Sequence, residues 1–275
     1  LLSPVLAGEQ TVDEIILNDW SWYQEHGITL HAGHTVTAVD RARRLVHARG
    51  PGGEAVSAPY DRLILATGSN PFMLPIPGKD LAGVLAYRDI ADTQAMIDAA
   101  AKYRSAVVIG GGLLGLEAAN GLMERQLDDV AGKMLQKSLE DRGMRFLMGA
   151  QTQELVGNAE GRVSAVKFKD GTEVPADLVV MAVGIRPNTA LAEKMRLHVN
   201  RGIVVSDTLQ TTTDARIYAV GECAAHRGVA YGLVAPLFEQ ARVLANHLAE
   251  FGIGRYLGSQ TSTKLKVTGI DLFSA

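Results

Sequence analysis

One stretch limits the fold of this chain more than any other: Ala106-Val107-Val108-Ile109 followed by Gly110-Gly111-Gly112-Leu113-Leu114-Gly115. Four apolar residues in a row read as a parallel strand buried on both faces. Glycines at 110, 112 and 115 have the Gly-x-Gly-x-x-Gly spacing that turns such a strand into a helix. Without side chains there, a pyrophosphate can approach the backbone, and the helix start offers it N–H donors and a favourable dipole. Glycine turns also serve bare helix–strand packing. Here the strand before and the Ala-rich helix after supply the context of a nucleotide site, and Gly110, Gly112, Leu113, Leu114, Gly115 and Glu117 are its candidate contacts. A second strand is due within about 30 residues of the start. Between that helix and the amphipathic segment from Leu127 there is only Gly121 to Gln126, with no β-branched run. The second strand is therefore expected to be missing after Met123, a deficit of about 15 residues.

Charge and composition remove several functions. A net charge of −3 gives no basic stripe to neutralise phosphates, so no nucleic-acid partner is expected. The apolar stretches around Ile109 and Val180 are broken by glycine and fall short of the roughly 20 residues that span a bilayer, so no membrane segment is expected. Cys223 is the single cysteine, which excludes an internal disulfide, a CxxC pair and a cysteine-built metal site; it fits a cytoplasmic location. No metal site is predicted. The chain opens on Leu1-Leu2-Ser3 without a signal-peptide pattern and stops at Ser274-Ala275, and is read as a fragment of something longer.

Along the chain, Thr11 with Glu14 forms a capping-box pattern followed by one or two helical turns over Val12–Leu17, and another short helix, Asp19–His26, ends at Gly27. Ile28–His31, His34–Asp40, Arg44–Ala48 and Ala55–Arg62 read as strands of a meander, the last two joined across Gly50–Gly53. Leu63–Thr67 is a buried strand stopped by Gly68. Helices are expected over Asp89–Ala101, from Leu127 to Gly143, and from about Pro236 to Glu250. Met144–Gly157, Arg162–Ala176 and Asp177–Asn188 supply further strands, with a turn at Asp170-Gly171. His26, His31, His34 and His47 lie in the meander without metal-ligand spacing, Arg41–Arg44 reads as a solvated charge run, and Trp20 and Trp22 as local packing. His226 is a weaker candidate for cofactor contact.

Two strand ends sharpen the reading: Ala66-Thr67-Gly68, and Gly221-Glu222 directly after Ile217-Tyr218-Ala219-Val220. A carboxylate just past such a strand can accept hydrogen bonds from ribityl or ribose hydroxyls. With the glycine motif from Val107 to Glu117, these stretches resemble the pyridine nucleotide–disulfide oxidoreductase superfamily, whose late flavin motif usually has Asp where this chain has Glu222. The wording of Tyr60–Gly78, Val107–Met123, Asp177–Glu193, Asn200–Thr211 and Tyr231–Ala241 is similar to the large-subunit family of assimilatory NAD(P)H-dependent nitrite reductases.

That resemblance implies an α/β protein of two Rossmann-like dinucleotide-binding domains, glutathione-reductase-like, with the nicotinamide domain inserted in the FAD domain and both incomplete. The boundaries it implies are 1–92 and 204–253 for FAD, 93–203 for NAD(P), and 254–275 for the start of a C-terminal interface region. The first flavin glycine motif would lie about 45 residues upstream of Leu1. Val36, Ala66, Thr67, Gly68, Ser69, Arg88, Gly221, Glu222, Ala235, Pro236 and Leu237 are the implied FAD contacts. Val183 and Gly184 would pack behind the nicotinamide, and Glu117 would help position its ring, with a helix-dipole role as the plain alternative. Pro4 stands where thiol-using relatives have cysteine, so thiol chemistry on the flavin is not expected.

The implied activity is hydride transfer from NAD(P)H to FAD, with electrons passing to iron–sulfur and sirohaem centres outside this chain for nitrite reduction to ammonium. Downstream redox domains or a small electron-carrier protein would be the partners, and a homodimer is one assembly the resemblance admits. A rubredoxin- or ferredoxin-type NAD(P)H reductase is the alternative within the fold, and a cofactor-free scaffold the alternative outside it. The choice between NADH and NADPH is not legible, because the strand that carries it is missing.

Overall fold

The computed structural model describes residues 2–110, 129–141, 143–260, 263–267 and 270–274. In chain order it runs α1 (Leu2–Leu6), a 3-10 turn (Asp13–Ile15), α2 (Trp20–Glu25), β1 (Thr35–Asp40), β2 (Leu45–Arg49), β3 (Ala55–Pro59), β4 (Leu63–Leu65), β5 (Ser69–Pro71) and β6 (Val84–Ala86). Next are α3 (Ile90–Lys102), β7 (Ala106–Ile109), α4 (Asp129–Glu140), β8 (Thr152–Gly157), β9 (Val163–Phe168), β10 (Glu173–Pro175), β11 (Leu178–Met181) and β12 (Ile185–Pro187). The chain closes with α5 (Ala190–Lys194), β13 (Ile203–Val205), β14 (Ile217–Ala219), β15 (Ala224–His226), α6 (Val234–Leu248), β16 (Thr263–Val267) and β17 (Ile270–Ser274).

Two compact units result, one of Leu1–Ile16, Pro71–Ile185 and Ser262–Ala275, the other of Leu17–Asn70 and Arg186–Thr261. The reason for the division is pairing and packing: β6 joins the sheet of β7, and Leu2 and Leu6 of α1 pack against Tyr87, Ala99 and Val180. On the other side, Ala192, Met195 and Leu197 enter the same core as Ile203 and Ile217.

In the first unit, β6, β11 and β7 form a parallel sheet with β11 in the middle. All four β11 side chains are buried, and they alternate. Leu178 and Val180 face the α3 and α1 side, whereas Val179 and Met181 join Leu155, Val163, Val166 and Phe168 of the antiparallel β10-β9-β8 meander. A strand with apolar residues on both faces can be stable only in such a covered sheet. Asp177 ties its start to β7, accepting from Ser105 Oγ at 2.8 Å and Ser105 N–H at 3.1 Å, bonds that hold its carboxyl below the usual range. Helix α3 opens on a reciprocal cap between Asp89 and Asp92.

The expected loss of a strand after Met123 concerns residues 111–128, outside the described residues. Met144–Gly149, expected to be extended, forms no ladder among the described residues and leaves Met144, Leu147 and Met148 exposed. A strand exists only where a neighbour takes its N–H and C=O groups. Ile28–His31 is likewise not a strand, with Ile28 and Leu30 exposed. Thr11 and Glu14 exchange their capping bonds, the single 3-10 turn follows, and the second short helix is α2.

The second unit has the antiparallel meander β1-β2-β3 and two parallel pairs, β14-β4 and β13-β15. Its core gathers Leu65, Ile203, Leu209, Ile217, Ala219, Cys223, Leu244 and Tyr256. Arg41 corrects the reading of a merely solvated charge run: it donates to Asp214 Oδ2 and to the Met195 carbonyl, each at 3.2 Å, tying the meander to that core. Trp22 stacks on His26 at 4.2 Å between ring centroids, the local packing expected.

Candidate functional site

In the second unit, β4 and β14 run side by side and stop together. The Val220 N–H donates to Leu65 O at 3.1 Å, and both chains then turn through left-handed glycines, Gly68 at φ +64 and Gly221 at φ +86. The parallel pairing places the two predicted turns at one end of the strands. Ser69 Oγ donates to Glu222 Oε2 at 2.8 Å, so the carboxylate read from the sequence is held by a residue from the other turn. Thr67 Oγ1 donates to Asn188 O at 2.7 Å, and the Asn188 N–H to Gly68 O at 2.9 Å, a clamp on the Ala66–Ser69 turn.

Helix α6 contributes from a third direction in the sequence. Ala235, Pro236 and Leu237 form its first turn, and one turn later Gln240 Oε1 accepts the Gly221 N–H at 3.0 Å. Gln240 is fully buried, and its Nε2 meets only the Tyr256 hydroxyl, without the geometry of a full hydrogen bond. A buried donor bonded below full strength costs up to about 1–3 kcal/mol, so this side chain calls for an explanation. Neither Gln240 nor Asn188 was singled out in the sequence. A signal for Gln240 exists: it lies midway between Pro236 and Leu244 on the buried stripe of α6, where an apolar residue is expected.

Cys223 is buried, as expected of a lone thiol, with Leu65 O and Val220 O each 3.4 Å from its sulfur. His226 is buried too, but its Nε2 lies 2.8 Å from Asp207 Oδ1. Arg227 grips the same carboxylate with two bonds, at 3.1 and 2.8 Å. Arg227 first and His226 second pull the Asp207 carboxyl down to about 2. Because the folded value lies below the unfolded one, this cluster stabilises the fold above pH 4 and loses that contribution as pH falls towards 2. The Asp207→Asn variant should show a flatter dependence of melting temperature on pH between about 4 and 2 than the parent protein. Parallel curves would remove Asp207 as a source of acid sensitivity.

Two further candidates lie on other elements. Val36 sits on β1 opposite Ala48 and is exposed. Arg88 belongs to the first unit, where its N–H donates to Asp92 Oδ2 at 2.8 Å.

In the first unit, Gly110 directly follows β7 at φ +115, beside Ala182 and Val183, the two residues that directly follow β11. A Cβ on Gly110 would lie 2.5 Å from Ala182 O and 2.9 Å from Val183 Cγ1. Val183 packs on the core below and Gly184 is left-handed at φ +107. Gly112, Leu113, Leu114, Gly115 and Glu117 lie outside the described residues. Among the described residues no group of three or more metal-ligating side chains occurs, and no helix is long and apolar enough to cross a membrane.

Parallel strands that end in glycine turns, with a carboxylate held at one such end, define a mixed α/β protein of the FAD- and NAD-dependent oxidoreductase class. Residues 1–243 match the family model described as pyridine nucleotide-disulphide oxidoreductase, and the chain belongs to that family. It is 53% identical over 291 aligned positions to the nitrite reductase [NAD(P)H] of Bacillus subtilis (strain 168), covering 100% of this chain and 35% of that protein. It is 45% identical to the assimilatory nitrate reductase electron transfer subunit of the same organism, of which it covers 37%. The chain thus spans about a third of the length of these relatives. The first alignment has 291 positions against 275 residues here, so at least 16 positions of that relative have no counterpart. Among solved structures, the covalent putidaredoxin reductase–putidaredoxin complex is 30% identical with a TM-score of 0.85, covering 99% of this chain and 70% of that one. A NAD-dependent persulfide reductase from A. fulgidus is 25% identical with a TM-score of 0.87, covering 97% and 55%. The resemblance to the nitrite reductases expected from the sequence is borne out.

Proposed function

We propose that this chain is the electron-input module of an assimilatory nitrite reductase, taking hydride from NAD(P)H onto FAD and passing electrons to iron–sulfur and sirohaem centres outside it. The single observation that carries the reading is the Glu222 carboxylate, presented at the joint end of β4 and β14 and fixed by Ser69. Its chemistry fits the group: an oriented acceptor suits ribityl or ribose hydroxyls, and the glycine turns beside it keep side chains out of the way. FAD, when bound, accepts a hydride and releases electrons singly.

On this reading the second unit holds FAD. Thr67 and Asn188 fix the turn beside the flavin, Ser69 orients Glu222, and the first turn of α6 at Ala235–Leu237 points N–H groups and a positive dipole end towards the pyrimidine edge. The first unit holds the nicotinamide nucleotide, with Gly110 leaving room for the pyrophosphate, Val183 and Gly184 backing the ring, and Glu117 positioning it. On this reading the second strand expected after Met123 is among the positions of the relative that have no counterpart here. A homodimer through residues 254–275 and a cytoplasmic location complete the proposal. The likeness to a reductase solved with its small carrier supports a second reading, in which the acceptor is a separate ferredoxin-like protein.

Titrating the chain with FAD and following flavin fluorescence tests the proposal, with anaerobic bleaching of the flavin band by NADH and by NADPH as the second arm. Saturable binding with bleaching by at least one nicotinamide is expected. A chain that stays colourless with excess FAD would instead support the cofactor-free scaffold. Transfer from the bleached flavin to added ferredoxin, compared with a sirohaem–iron–sulfur protein, separates the two acceptors.

A further inference from the structure

The buried amide of Gln240 meets the core only at the Tyr256 hydroxyl, and it touches the turn on which the proposed cofactor site depends. It occupies the middle of the α6 stripe Pro236–Gln240–Leu244, with no exposed surface. Its Oε1 takes the Gly221 N–H at 3.0 Å, while its Nε2 has only the Tyr256 hydroxyl nearby, without the geometry of a full hydrogen bond. A half-satisfied buried amide is worse for stability than an apolar side chain of similar shape. What the amide does provide is a fixed acceptor for one backbone group. Along the turn, Val220 is held through its N–H by Leu65 O, and the Ala224 N–H closes back on Gly221 O. The Gly221 N–H, in the left-handed residue directly before Glu222, is held by Gln240. Two side chains from separate elements thus fix the site: Ser69 of β5 holds the Glu222 carboxylate, and Gln240 of α6 holds the backbone that carries it.

We infer that Gln240 is a positioning residue, a post inside α6 that sets the Gly221–Glu222 turn and so places the Glu222 carboxylate for the hydroxyls of a bound dinucleotide. The ligand part rests on the reading of this turn as the FAD site. Gln240 does not touch the cofactor itself; it acts through the Gly221 N–H. It also couples the first two turns of α6 to the strand end, so that the helix start and the carboxylate keep one spacing.

The test compares Gln240→Met, which keeps the volume and loses the acceptor, with Gln240→Glu, which keeps an oxygen for the Gly221 N–H. Three quantities are read: amide hydrogen exchange of the segment 217–224 in the ligand-free chain, melting temperature, and FAD affinity by fluorescence. Gln240→Met should exchange at Gly221 about tenfold faster or more and bind FAD about tenfold more weakly, with its melting temperature unchanged or raised. Gln240→Glu should recover most of the exchange protection. A role in packing alone predicts the opposite pattern, a lower melting temperature with the Gly221 exchange following global unfolding. Unchanged exchange and unchanged FAD affinity in Gln240→Met would overturn the inference. If the parent chain takes up no FAD, the cofactor reading falls and the ligand part with it, while the exchange data still decide whether Gln240 sets the turn. Glu222→Ala separates the two further: it should weaken FAD while leaving exchange at Gly221 as in the parent.

Discussion

Gly110→Ala should destabilise the first unit by about 3 kcal/mol or more, the sum of two penalties that act together at the end of β7. The backbone there is at φ +115, a region that an L side chain enters only with strain. The added methyl would sit 2.5 Å from the Ala182 carbonyl oxygen, a backbone atom that cannot rotate away. Relief requires moving β7 away from its partner, and the ladder from Leu178↔Ala106 to Met181↔Ile109 is what the two cores of this unit are built around. Gly184→Ala is the control, because Gly184 is also left-handed, at φ +107, but nothing lies within 4 Å of its would-be Cβ. It should show the strain without the clash. Urea unfolding followed by circular dichroism measures both; equal losses in the two variants would show that contact with Ala182 contributes nothing.

The second large effect concerns ligand rather than fold. Glu222→Ala should weaken FAD binding by about 30-fold to 100-fold, since hydrogen bonds to a charged group are each worth about 1.5–3 kcal/mol and each 1.4 kcal/mol is a factor of ten. Ser69→Ala, which removes one hydrogen bond to the carboxylate and keeps the carboxylate itself, should cost several-fold less. The order matters more than the sizes. Were Ser69→Ala to weaken binding as much as Glu222→Ala, the carboxylate would matter only as a partner for Ser69, and its role as the hydroxyl acceptor would fail. Glu222 lies outside the cores of both units, so the melting temperature of its variant should stay close to the parent's.

Much of the fold was legible because burial and turn chemistry are local properties. Leu178–Met181 is apolar at every position and proved to be the central strand, and Asp89 with Asp92 capped α3 near the predicted start. The glycines at 68, 110 and 221 were correctly read as strand-ending turns, since each adopts a positive φ that only glycine tolerates freely. Failures occurred where an element depends on a partner distant in sequence. Ile28–His31 and Met144–Gly149 have strand-like composition, but strand pairing is a property of two segments, and the described residues give these segments none. For the same reason, Leu2, Leu6 and Val84–Ala86 join β7 and β11 through contacts that no composition shift marks.

The sequence alone determined the family, the two strand-ending turns of the second unit and the carboxylate that follows one of them, because these depend on residue types at fixed short spacings. Only the tertiary structure decided that Ser69 reaches Glu222 across 153 residues of chain and that Gln240 reaches Gly221 from inside a helix. A side chain's identity limits which bonds it can make. Which partner it meets is set by how β4, β14 and α6 pack, and that packing follows from burying their apolar faces together, a collective property that no single stretch of the chain encodes.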